Sequence, residues 1–219
     1  MNPDYHLAAV KAAETLITYG ISSAPVDPLP ILKKLPGVLV LTYEDLSKLA
    51  NVNRDNVLDL VGCNNQDAIT TAFVDEPSPL YVVAYNKMLP SVLVDRALAR
   101  ELGHIVLGHD GTKPESIRNE EASCFAKHLL FPRPLLHMIT ASGIRLTTAV
   151  LNNLTGCNDH CISCLRRLPA ISVPAELNRQ VRDNFMPYFM NYFHYQQHAT
   201  KDDTSALADL GTYMDGYKE

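Results

Sequence analysis

Apolar residues at Leu7, Val10, Ala13 and Ile17 recur at helical spacing, which predicts a helix from Pro3 to Tyr19 stopped by Gly20. Asp27-Pro28 reads as an N-cap followed by proline at the first helical position, opening a short helix that Pro36-Gly37 ends. The β-branched run Val38 to Tyr43 predicts a strand, and Thr42 to Ala50 a helix; Asn51 to Cys63 fits neither pattern cleanly. Two more strands are expected at Ala68–Val74 and Leu80–Tyr85, with the turn signal Asp75-Glu76-Pro77-Ser78-Pro79 between them. Long helices follow, from Pro90 to about Leu107, closed by Gly108, and from about Pro114 to Leu130, broken by Pro132 and Pro134. The rest is helical in pattern. Its longest run goes from Pro174 to about Gln197, with a kink expected at Pro187.

This order predicts an α+β fold: a small antiparallel sheet packed with two long helices, then a helical C-terminal part. The expected organisation is residues 1–134 as the principal domain, 135–197 as a helical extension and 198–219 as a polar, mobile tail. The aromatic and Met-rich run Phe185 to Tyr195 is expected to dock on the core, or on a second subunit where it is exposed.

Composition narrows the classes. Hydrophobic residues make up 47% of 219, enough for a core. The net charge of −5 argues against a general nucleic-acid binder, and the acidic tail carries much of it. No apolar run approaches the roughly 20 residues that span a bilayer, and the N-terminus has no signal-peptide pattern, so a cytoplasmic protein is expected. Cys63, Cys124, Cys157, Cys161 and Cys164 are an odd number, for which free thiols are the default. Cys157, Cys161 and Cys164 fall on what reads as one short helix, which wraps poorly around a single ion, so buried thiols are expected there.

The chemistry concentrates in Arg96 to His109. Residues four apart lie about 40° apart on a helix, so His-Glu-x-x-His sets two imidazoles on one zinc, with the glutamate polarising a bound water. Here the segment reads Arg100-Glu101-Leu102-Gly103-His104, and the first histidine is arginine. One loop later comes Arg118-Asn-Glu-Glu-Ala-Ser-Cys-Phe-Ala-Lys-His-Leu-Leu-Phe-Pro132. Together the two segments resemble the ImmA/IrrE family of zinc metallo-endopeptidases, and the likeness extends over roughly Tyr5 to Pro134.

That resemblance implies a site-specific zinc endopeptidase acting on a regulatory, repressor-type protein, often one encoded on a phage or mobile element. Glu101 would be the general base and His104 a zinc ligand. The family's third ligand falls on Asn119, leaving Glu120 or Glu121 to replace it. Both Arg100 and Asn119 therefore stand where ligands are expected.

Arginine keeps its proton and has no lone pair to donate, so Arg100 cannot ligate zinc; it is expected to pair with Glu101, Glu120 or Glu121. The alternative function is accordingly a catalytically inactive pseudoprotease that binds a regulatory protein. His109 lies five positions past His104 and is expected to point about 140° away from it. Glu120, Cys124 and His128 share a helix face that reads as packing with a surface carboxylate. A third reading, a DNA-associated regulator, would rest on Arg166, Arg167, Arg179 and Arg182.

Overall fold

The computed structural model describes residues 2–51, 53, 67–73, 80–156 and 171–199. Cys63, Cys157, Cys161, Cys164, Arg166, Arg167, much of the ambiguous Asn51–Cys63 stretch and the tail from residue 200 lie outside the described residues. The elements in order are α1 (Tyr5–Thr18), α2 (Pro28–Lys34), β1 (Val38–Thr42), α3 (Tyr43–Ala50), β2 (Ala68–Phe73), β3 (Leu80–Tyr85), α4 (Ser91–Val106), α5 (Glu115–Leu130), α6 (Arg133–Ala141), α7 (Thr148–Thr155) and α8 (Ala175–Ala199). The fold is α+β.

The caps follow the local chemistry. Asp4 accepts from the Leu7 N–H, and Asp27 accepts from the Leu29 N–H ahead of Pro28. Thr42 and Asp45 form a reciprocal capping box that turns β1 directly into α3.

The three-stranded sheet has the order β1-β3-β2 and is mixed rather than antiparallel throughout. β2 and β3 pair antiparallel, Ala68 opposite Tyr85, as a turn-linked pair should. β1 runs parallel to β3, Val38 opposite Tyr81, because α3 and β2 intervene and return the chain in the original direction.

The buried face of α1 also differs from the expected one. Of the expected residues Ala13 is buried and Val10 and Ile17 are half-buried, but Leu7 is exposed, and Ala8, Ala9, Ala12 and Leu16 complete the buried face. The alanine stripe, one step round from the larger apolar residues, lets α5 approach closely. Burial here follows from small size as much as hydrophobicity.

α4 and α5 pack against each other, and α1 packs on α5. The contact of α4 with α5 depends on Gly103: a Cβ there would sit 3.0 Å from Phe125 Cδ1 and 3.1 Å from the Ala122 carbonyl. α8 lies against α6 and α1. Phe185, Tyr188, Phe189 and Tyr192 are buried in the same cluster as Leu16, Leu102 and Phe125, while Met186 and Met190 stay exposed. The aromatic run therefore docks on the core, as its composition suggests. Pro187 lies inside the single helix α8.

Candidate functional site

The site lies where α4 ends against α5. Glu101 is buried on α4, and its face is reached by Thr70 of β2. Arg100 folds back along the helix surface, with Nη2 3.3 Å from Glu101 Oε1. Of the three carboxylates expected for it, Arg100 thus takes the adjacent one. Burial raises the Glu101 pKa, against the opposing pull of the Arg100 charge and of Thr70.

Glu120 and Glu121 separate, as about 100° of helical rotation requires. Glu120 is exposed and accepts a hydrogen bond from the Tyr5 hydroxyl. Glu121 is buried and faces α4. Asn119 is half-buried. Cys124 is buried with its thiol near the Tyr5 carbonyl, and burial pushes its pKa up to about 11, so it is an inert packing thiol.

His109 is the residue that extrapolation along the helix misplaced. α4 stops at Val106, and Gly108 takes a left-handed conformation (φ +64°) that folds the chain back. His109 therefore returns to the helix end instead of continuing its spiral. Its Nδ1 lies 2.9 Å from His104 Nδ1 and its Nε2 3.0 Å from Glu121 Oε2. The Gly108-His109 pair was the available signal, because a glycine after a helix marks where the 100° rule stops applying.

Glu121 is fully engaged. Lys113 Nζ lies 2.9 and 2.8 Å from its two oxygens, the Asp4 N–H donates to Oε1 at 2.8 Å, and His109 reaches Oε2. Burial pushes the Glu121 carboxyl up, but Lys113, the Asp4 amide and His109 together prevail and hold it below its usual range. Burial and the neighbouring charges lower the pKa of His104 to about 4, and burial lowers that of His109.

These protonation states fix the proton positions. Ionised Glu121 can only accept, so His109 donates through Nε2. The His109 Nδ1 then carries a lone pair and accepts from the His104 Nδ1–H. In the chain Lys113–Glu121–His109–His104, the remaining ring nitrogen, His104 Nε2, carries a lone pair and can only accept.

A zincin site needs three protein ligands around one ion. In this chain Arg100 replaces the first, Glu121 is saturated by an ammonium and two N–H groups, and both His109 nitrogens are committed. The described residues include no group of three or more His, Cys, Asp or Glu placed to hold a metal ion. Among the described residues, those gathered at the end of α4 do not fit a resident zinc.

Over 104 residues, 44% of this chain, the sequence is 31% identical to the ATP-dependent zinc metalloprotease FtsH 2 of Petrotoga mobilis. Part of the chain is thus similar to part of a metallopeptidase. The matched stretch is 16% of that protein's length. No family model matches the chain, and no solved structure does. No helix among the described residues is long and apolar enough to cross a membrane.

The neutral histidines set a pH dependence. The pKa values of His104 and of His128, which is buried on α5, are both lowered from 6.5 to about 4, and that of His109 is also lowered. Their contribution to stability is whole above pH 6.5. It is lost as pH falls towards about 4, because there the unfolded chain takes up protons that the folded one refuses. Each unit of depression corresponds to about 1.4 kcal/mol. Glu101, with its raised pKa, acts in the opposite sense and loses its contribution as pH rises through its folded value. With three histidines against one glutamate, the urea midpoint is expected to be lower at pH 5 than at pH 7.5. Equal midpoints would contradict the neutral, buried assignment.

Proposed function

We propose that this chain is a pseudoprotease: a zincin-like metallopeptidase relative that binds a segment of a regulatory protein without hydrolysing it. The observation that carries the reading is the saturated Glu121. The carboxylate best placed to replace the missing ligand is held by Lys113, His109 and the Asp4 amide, while Arg100 pairs with Glu101. Lys113 and Arg100 take the electrostatic place of a metal: Lys113, with His109 and the Asp4 N–H, gathers the loop after α4 and the start of α1 onto Glu121 of α5, while Arg100 balances Glu101 within α4.

The regulatory partner is inferred from the resemblance to ImmA/IrrE proteins, whose members act on repressor-type proteins. A route for binding it is β2. Among the described residues this strand pairs only with β3, and it runs past Glu101 with Phe73 exposed at its end. An extended segment added to the open edge would run beside Glu101 and be held through main-chain hydrogen bonds. Elemental analysis of protein purified without chelator, alongside a peptide-hydrolysis assay, tests the proposal. Zinc far below one per chain and no hydrolysis are expected.

A further inference from the structure

A cavity of about 550 Å³ opens away from this chemistry, between α1, the start of α6 and the first turn of α8. Its floor is apolar, built from residues such as Ala13, Leu16 and Val181. Arg133, Arg179 and Arg182 line it, and its lining contains neither Asp nor Glu, in a chain whose net charge is −5. The N-terminus of α8, with Ser172, Val173 and Ala175 in the lining, lies at the same place, and a helix N-terminus carries partial positive charge. The inner wall includes the ring of His128, a side chain only 7% exposed whose Nε2 has no hydrogen-bond partner. An orphaned buried imidazole calls for a partner, because a polar group removed from water and left unbonded is costly.

We propose that this cavity binds a small amphipathic oxyanion, a carboxylate or phosphate monoester carrying an apolar tail of about ten carbons. The volume lies in the range of small-molecule sites, roughly 300–1,000 Å³. The tail covers the Ala13, Leu16 and Val181 floor, and the head meets the guanidinium groups and the start of α8. Arg179 pairs with Glu176 at 2.8 Å and Arg182 with Asp183 at 3.2 Å. Both pairs are exposed on the surface, where such pairs are weak, so they can be exchanged for a ligand head group. This inference stands apart from the peptide-binding reading and does not depend on it.

Isothermal titration of the whole chain with decanoate, decyl phosphate and decanol, all below their aggregation concentrations, tests it. One site per chain is expected, with an oxyanion binding at least tenfold more tightly than decanol; the tighter of the two anions identifies the head group. The double variant Arg179→Gln/Arg182→Gln changes only exposed positions and should fold; it is expected to lose that discrimination while still binding decanol. Ala13→Leu should block all three probes. Equal affinity for decanol and both anions, no binding of any probe, or full discrimination in the double variant would overturn the proposal.

Discussion

Replacing Glu121 by leucine is expected to destabilise the protein by about 3–5 kcal/mol, the usual consequence of removing one partner from a buried ion pair. The side chain is 2% exposed and accepts from Lys113, His109 and the Asp4 N–H. Its loss strands a buried imidazole N–H and a backbone N–H in the same place, and it leaves Lys113 facing an apolar wall. Glu121→Gln keeps an acceptor oxygen and should cost less than Glu121→Leu.

The Lys113 side chain remains one-third exposed, so its share is moderated by water. A double-mutant cycle of Glu121→Leu with Lys113→Met should give a coupling of about 1–2 kcal/mol. Additive effects in the cycle would mean that Lys113 is not the group holding Glu121. For a chain of this size the single Glu121→Leu change corresponds to a Tm lower by very roughly 6–20 °C.

The second large effect is expected at Gly103. Helix propensity alone favours its replacement, by about 1 kcal/mol for alanine. The packing opposes it, because an added Cβ meets the Ala122 carbonyl at 3.1 Å and the Ala122 Cα at 3.2 Å, both backbone atoms of α5 that cannot rotate away. Gly103→Leu must therefore separate α4 from α5. Overpacking of this kind costs about 1–3 kcal/mol, and more where the obstacle is backbone.

Because His109 is held at the end of α4 by the His104 carbonyl, the separation would also pull His109 from Glu121 on α5. The urea midpoint of Gly103→Leu should fall well below that of Gly103→Ala, which itself should not gain the stability its propensity promises. An unchanged midpoint for the leucine variant would show that the helices are not in the described contact.

Much of this was legible in the sequence, for identifiable reasons. Asp27-Pro28 and Gly108 mark element ends through chemistry that acts within a few residues, and the structure places the ends there. The strand Leu80–Tyr85 was bounded by Pro79 and Asn86 and has those limits. What failed were the relations that no local rule carries. The parallel pairing of β1 with β3 depends on what the intervening chain does, and the buried alanine stripe of α1 depends on how closely α5 approaches.

The site divides the same way. Periodicity puts Glu101 and His104 on one stretch of α4, and one residue of rotation separates Glu121 from Glu120. It could not return His109 to His104, because that contact is made by the reversal at Gly108 and not by the helix. Nor could it find Lys113, whose importance comes from the loop between α4 and α5 folding over Glu121.

The measurement closest to the central claim is zinc stoichiometry by elemental analysis, made on the unmodified protein and on the double variant Arg100→His/Lys113→Ala. The substitutions restore the first imidazole and release Glu121 from its ammonium. Zinc far below one per chain in the unmodified protein, rising towards one in the double variant, is the expected result. Near one zinc per chain in the unmodified protein would contradict a site held together by Lys113, Glu121, His109 and Arg100 in place of a metal.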